Sequence, residues 1–279
     1  MIRQINKVLN RLGCEVRRLP VGELEGFGMP FIIGKYKEIV DAIHDCFSKT
    51  LFNGLPTCPG RKELLGKLVG TPVCEGMYII SAICGCIEVP GDVCEFGVAQ
   101  GATSALIANE IRRSSKDLWL FDSFEGLPHP TEKDVLINDI FGLGSVEKYT
   151  GTMASPMEMV TERLNDIDFP FDRTHIVPGF IEKTIQSEPM PERVCFAYVD
   201  FDFYEPILTT LKFLRDSLNV GGVVIVDDYG FFSAGAKTAV DEFLAEAGGE
   251  FEMELPQPFA AKATPFCILK RKKLGVLKV

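Results

Sequence analysis

The stretch VPGDVCEFGVAQGATSAL, residues 89–106, decides the fold. An apolar run carries Glu95 near its end, Gly97 and Gly101 follow, and a helix-forming segment then begins. Strand, glycine turn and helix in that order open a βαβ unit. The glycines are spaced G-x-x-x-G, without the tight G-x-G of a dinucleotide site and without the Lys-Ser/Thr of a phosphate loop. A pyrophosphate is therefore not the guest this turn suggests. Gly97 permits close approach of the backbone to a ligand, and Gly101 starts a helix whose amide end can face an anionic group. Taken alone, the turn is equally well a plain strand-to-helix connection.

Downstream the pattern repeats. GDVCEFGV, DLWLFDS, THIVPGF, VCFAYVDF and GGVVIVDDY read as strands, separated by helices near 102–114, 156–166, 180–187, 205–218 and 234–247. Their nearly continuous apolar character requires cover on both faces, as in a doubly wound, Rossmann-like α/β sheet. EFEMELP and PFCILKRK follow as a terminal antiparallel hairpin joined by a Pro-rich turn. Upstream, residues 1–88 read as helices separated by breakers, so the chain divides near Glu88 into a helical N-terminal portion and an α/β domain over 89–279. The connection spanning about residues 127–155 is too long for an ordinary loop and reads as a lid over the site.

The composition limits the function. The chain has 279 residues, 46% hydrophobic, with a formal net charge of −10. That balance argues against nucleic acid as a partner, since such binders carry a basic footprint. Nine scattered cysteines without a C-x-x-C pair read as incidental thiols of a reducing compartment. The basic amphipathic opening, MIRQINKVLNRLGCEVRRL, lacks the apolar core of a signal peptide, and MYIISAICGCI is too short to span a bilayer. A cytoplasmic chain without a membrane span is expected, with a homo-oligomer an open possibility.

In doubly wound sheets ligands sit beyond the carboxyl ends of the strands, and here those ends are acidic: Glu95, Asp122, Asp200 with Asp202, and Asp227 with Asp228. Asp122 stands where an acidic side chain receives ribose hydroxyls, although Asp122-Ser123 also suits a turn or helix cap. Asp200 and Asp202, two apart in an extended exit, share a face. Carboxylates converging on one point repel each other unless a cation neutralises them, and all-oxygen donors suit Mg²⁺, Ca²⁺ or Mn²⁺ rather than zinc. Surface caps are the plainer alternative. His44, His129 and His175 form no triad or metal pattern, His129 lying in the lid as a possible substrate contact. No G-x-S-x-G elbow occurs, and Trp119 reads as core.

Five blocks, VPGDVCEFGVAQG, LFDSFEGLP, SPMEMV, VDFDFYEPILTTLKFLRDSLNVGGVVIVDDYG and AVDEF, stand in the order found in one family. Over about residues 89–245 the chain resembles the class I S-adenosylmethionine-dependent O-methyltransferases of the macrocin O-methyltransferase type, which methylate sugar hydroxyls of natural products. The resemblance implies a seven-stranded methyltransferase sheet, a helical N-terminal portion for acceptor recognition or oligomer contacts, and a lid. It implies S-adenosylmethionine held by Glu95, Gly97, Gly101, Ser104, Asp122, Ser123 and Ser155. Mg²⁺ falls to Asp200, Asp227 and Asp228, and the general base to Asp202. The acceptor is then a small-molecule hydroxyl, with a catechol-like diol or a non-catalytic S-adenosylmethionine-binding protein as alternatives. The chain departs from the pattern at DFDFYEPI, where the family often has DGDLYEST, and at Ala99-Gln100, where it has Trp-Arg.

Overall fold

Apolar strands flanked on both sides by helices organise the structure, a computed structural model that describes residues 29–256 and 265–273. The amphipathic opening, Cys14 and the turn expected between the last two strands lie outside the described residues. Contacts divide the chain into two compact units, residues 1–42 and 43–279. In the first, the described part is the beginning of α1 (Met29–Thr50), where Lys35 pairs with Glu38 one turn on at 2.7 Å.

The second unit begins with the end of α1 and then α2 (Arg61–Leu65) and α3 (Val73–Cys86). Strands and helices then alternate: β1 (Asp92–Phe96), α4 (Ala102–Ile111), β2 (Leu118–Asp122), α5 (Met157–Asp166), β3 (Thr174–Pro178), α6 (Ile181–Ser187), β4 (Val194–Val199), α7 (Tyr204–Ser217), β5 (Leu218–Val226), α8 (Ala234–Glu246), β6 (Phe251–Glu254) and β7 (Cys267–Arg271). The sheet has the order β3-β2-β1-β4-β5-β7-β6, with β7 and β6 antiparallel. The terminal hairpin is therefore folded back, its second strand lying against β5 and its first forming the edge. The change of pattern near Glu88 marks where the sheet starts, while the compact unit that carries it starts at Ile43.

Two apolar layers explain the near-continuous strands. One face packs Phe96, Phe121 and Val199 against Ile207, Leu211 and Val240 of α7 and α8. The other packs Val93, Leu120 and Tyr198 against Ile79, Ile83 and Ile107 of α3 and α4. β4 is buried along its whole length. Each fully buried side chain of this kind contributes roughly 1.5–3 kcal/mol. Trp119 is half-buried rather than fully inside, stacked on His175 at 4.1 Å with its indole N–H turned to Asp92.

Register is what matters for the site. Phe121, Phe96, Val199 and Val226 are paired across four neighbouring parallel strands. The ladder runs one step further: Gly97 N–H donates to Phe121 O, Asp200 N–H to Phe96 O, and Asp227 N–H to Val199 O. Strand order reverses between β1 and β4, and there Gly97 (φ +88°) lies so close to β4 that an added Cβ would stand 1.9 Å from Asp200 O. Gly97→Ala should therefore cost about 3 kcal/mol or more in urea unfolding, against about 1 kcal/mol for Gly142→Ala, a left-handed glycine in open space.

Candidate active site

Because the strand ends are level, the acidic residues that follow them meet at one edge. A cavity of about 520 Å³ opens there, with Gly97, Asp122, Asp200, Asp202, Asp227 and Asp228 in its wall. Ser123 and Ser155 also line it. Glu95, Gly101 and Ser104 do not reach it. Glu95 is 1% exposed and Ser104 0%, and the Ser104 hydroxyl donates to Glu95 Oε2. Gly101 (φ +78°) begins α4, and an added Cβ would stand 3.0 Å from Val160 Cα. These three support the turn from behind. His129 is exposed and stands outside the cavity wall.

Asp122 is already occupied. Its Oδ2 accepts from Val98 and Ala99 N–H, both at 2.8 Å, and its Oδ1 from Phe124 N–H at 2.6 Å. Two carboxylate oxygens offer about four acceptor sites, so one remains for a ligand hydroxyl. The Ser123 hydroxyl donates to Gly126 O and receives Glu125 N–H. The second strand end thus both fastens the glycine turn and faces the cavity.

The four aspartates that follow β4 and β5 are crowded. Burial raises the carboxyl groups of Asp200, Asp202, Asp227 and Asp228 above the usual range, and neighbouring carboxylates push Asp200, Asp202 and Asp228 further in that direction. Asp227 Oδ1 accepts Asp228 N–H at 2.7 Å, and its Oδ2 lies 3.2 Å from the Tyr198 hydroxyl. The backbone is strained at the same place: Ala99, Phe124, Asp202 and Asp228 all have left-handed φ, between +45° and +61°, just beyond β1, β2, β4 and β5. Such outliers persist where surrounding structure holds them and concentrate at functional sites.

The donor set is all oxygen and mutually repulsive, which is the chemistry of a hard cation site. Among the described residues no three His, Cys, Asp or Glu side chains already converge on one point. The aspartates therefore fit a divalent ion in donor type, and side-chain rotation is needed to bring three together.

The sequence suggests a lid over about 127–155 but does not say which of its side chains reach the cavity. The lid contributes Leu127, Pro128, Ile140, Phe141 and Met153. It is a folded segment: Tyr149 is wholly buried, with Phe232 and Phe203 in one aromatic cluster, and its hydroxyl donates to Asp139. Phe180 and Glu182 enter from β3–α6, and burial raises the Glu182 carboxyl. Glu75 on α3 was also missed. It is buried behind Asp227, 3.2 Å from the same Tyr198 hydroxyl, and burial next to Asp227 and Asp200 holds it well above the carboxylate range. A carboxyl just inside the start of an apolar helix carries no sequence mark of this.

A larger cavity, about 880 Å³, lies at the opposite end of β1 beside Asp92. Its buried cations are spent internally: Arg61 makes a two-point pair with Glu110 at 2.8 and 2.6 Å, and Lys116 donates to Val89 O and Gly91 O. Every cysteine among the described residues is free, and no helix among them is long and apolar enough to cross a membrane.

Burial pushes the Glu95 carboxyl up to about 8. The unfolded chain releases that proton near its ordinary value of about 4.3, so between there and 8 the folded state binds more protons and loses stability as pH rises. Urea unfolding at pH 5, 6.5 and 8 should show Glu95→Gln gaining stability over wild type with each step. Parallel curves for the two proteins would contradict the assignment.

The sequence profile of the macrocin-O-methyltransferase (TylF) family matches residues 80–254. A tetracenomycin-C rhamnosyl 4'-O-methyltransferase of Streptomyces olivaceus is 29% identical over 150 residues, which is 50% of this chain and 54% of that enzyme. The demethyldecarbamoylnovobiocin O-methyltransferase of Streptomyces niveus is 29% identical over 180 residues, 61% of this chain and 67% of the relative. The chain thus spans little more than half of the first of these relatives. Among solved structures, the O-methyltransferase NovP superposes with a TM-score of 0.62 at 22% identity, covering 85% of this chain and 100% of NovP, a likeness of fold. Strand order, acidic strand ends and a profile match over well more than half of the sequence agree: the chain belongs to the macrocin-O-methyltransferase (TylF) family.

Proposed function

We propose that the protein transfers a methyl group from S-adenosylmethionine to a hydroxyl of a sugar-bearing natural product. The observation that carries this reading is that Asp200, Asp202, Asp227 and Asp228 line the same cavity as Gly97 and Asp122. The family and the names of its relatives support methyl transfer to oxygen on a glycosylated acceptor.

The donor fits the turn half of the cavity. S-adenosylmethionine, when bound, supplies a methyl group on a sulfonium centre, and a cationic centre suits a wall rich in carboxylates. The remaining acceptor site of Asp122 faces a ribose hydroxyl, and Ser155 stands at the cavity wall for a further polar contact. Mg²⁺ falls to Asp200, Asp227 and Asp228, where a bound divalent ion would neutralise the carboxylates and acidify a nearby hydroxyl. Asp202 takes the proton of the acceptor hydroxyl as that oxygen gains the methyl carbon and the carbon–sulfur bond breaks. Burial suits it to the task by raising its affinity for a proton. The lid excludes water and holds the two reactants in line. Val69 and Gly70 stand in the wall from the portion ahead of the sheet, which supports a part for residues 1–88 in acceptor recognition.

Labelled S-adenosylmethionine incubated with a panel of glycosylated antibiotics and, separately, catechols tests the reading. Methylation of a glycoside is expected. Asp202→Asn should slow turnover about a thousandfold while S-adenosylhomocysteine affinity by calorimetry stays within about twofold. Donor binding with no transfer to any hydroxyl would instead make this a non-catalytic member of the fold, and transfer only to catechols would overturn the acceptor.

The metal has its own readout. Calorimetric titration of Mg²⁺ into wild type should give binding that Asp228→Ala weakens at least about tenfold, since one charged ligand is lost. Unchanged turnover after EDTA treatment removes the ion from the account.

A further inference from the structure

The lid and the turn that carries Asp202 share one buried carboxylate. Helix α7 begins at Tyr204, two residues after Asp202, and its N-cap Phe203 offers no side-chain bond to the first amides. The cap comes from seventy residues earlier. Asp134 of the lid, 1% exposed, accepts the Tyr204 backbone N–H on Oδ1 at 2.7 Å. Its Oδ2 accepts the Thr131 N–H at 2.7 Å and the Thr131 hydroxyl at 2.8 Å, closing the lid's own first turn. A carboxylate at a helix N-terminus is favoured by the unpaired amides and the axial dipole.

Neighbouring contacts gather at the same point. Gly235, at the start of α8, passes so close that an added Cβ would meet Asp134 Oδ1 at 1.8 Å. Ser233 caps α8 through Gly235 N–H and donates its hydroxyl to Asp202 O at 3.0 Å. Lid residues Val135, Ile137 and Asn138 are hydrogen-bonded through their backbones to Phe232 and Ala234. An outer tie runs from Lys133 Nζ to the Tyr204 hydroxyl at 2.6 Å and to Glu242 at 2.8 Å.

We propose that Asp134 is a positioning residue for methyl transfer: by capping α7 from within the lid it sets the left-handed turn of Asp202, so that seating the lid and aiming the base are one event. The assignment rests on Asp202 taking the acceptor proton. Asp202 has φ +61° in a turn that the Phe203 N–H closes on Phe201 O at 2.6 Å, between a strand end and a helix with no side-chain cap of its own. Asp134 and Ser233 supply the bonds on either side.

Asp134→Asn and Asp134→Ala separate the two ties. The amide of Asn keeps one oxygen for Tyr204 N–H but turns a donor towards Thr131, so it retains the cap and releases the lid. Hydrogen exchange of peptides covering 131–138 and 201–206 reads each tie without any acceptor. In Asp134→Ala both should exchange about tenfold faster, with β1 and β4 unchanged. In Asp134→Asn only 131–138 should do so. With the glycoside that wild type methylates, kcat should fall about a hundredfold in Ala and much less in Asn, while KM for S-adenosylmethionine stays within about threefold in both. The mark of positioning is that kcat follows protection of 201–206 rather than that of the lid.

Unchanged exchange at 201–206 in Asp134→Ala overturns the proposal, as does an equal fall of kcat in the two variants. Should the Ala variant not fold, faster exchange at 201–206 in Asp134→Asn with kcat unaltered overturns it equally. Absence of any methylated glycoside in wild type counts against the methyl-transfer reading alone, since the exchange measurements still show whether Asp134 joins lid and turn.

Discussion

The level ending of four parallel strands is the constraint on which the site depends. Phe121, Phe96, Val199 and Val226 are in register, so the residues after them, Asp122, Gly97, Asp200 and Asp227, form one row across the sheet edge. A slip of one residue in any strand would turn its acidic side chain to the other face. The register between β1 and β4 is held where Gly97 meets the Asp200 carbonyl, a contact closed to any side chain. Two packed layers of apolar side chains then make the row rigid.

That rigidity sustains an arrangement the isolated groups would avoid. Buried carboxylates raise one another's proton affinity, and four non-glycine residues just beyond the strand ends, Ala99, Phe124, Asp202 and Asp228, hold left-handed backbone. Both are costs of order 1–3 kcal/mol per strained residue or more, tolerable because the sheet and its helices are extensively buried. The same crowding accounts for the chemistry proposed: an acidic wall attracts a cationic donor and a hard metal ion, and offers a desolvated base. The lid contributes the opposite character, with Phe141, Ile140 and Met153 facing the cavity. The site is thus acidic on its sheet side and apolar on its lid side.

Much of this could be read in the sequence because it is local. Strands sheltered on both faces are written as unbroken apolar runs, and the aspartates stand out because they interrupt those runs at their ends. The extents expected for β1 to β5 and for α4 to α8 agree with the structure to within a few residues. What stayed hidden is non-local. Nothing near Gly97 announces a carbonyl from Asp200, and nothing near Tyr204 announces a cap from Asp134. Glu95 and Ser104 resembled ligand contacts because of their place in the motif, yet they bond each other behind the turn. Asp122 combines the two readings that the sequence left open, capping amides on one side and facing the cavity on the other. The terminal antiparallel hairpin was legible as two apolar runs joined by a turn, but such runs do not say which of them pairs with β5.

A crystal structure with S-adenosylhomocysteine tests the central claim most directly. The account predicts the ligand in the 520 Å³ cavity at the carboxyl edge, its ribose at Asp122 and its sulfur directed towards Asp202. Density for the ligand in the 880 Å³ cavity beside Asp92, at the other end of β1, would contradict it.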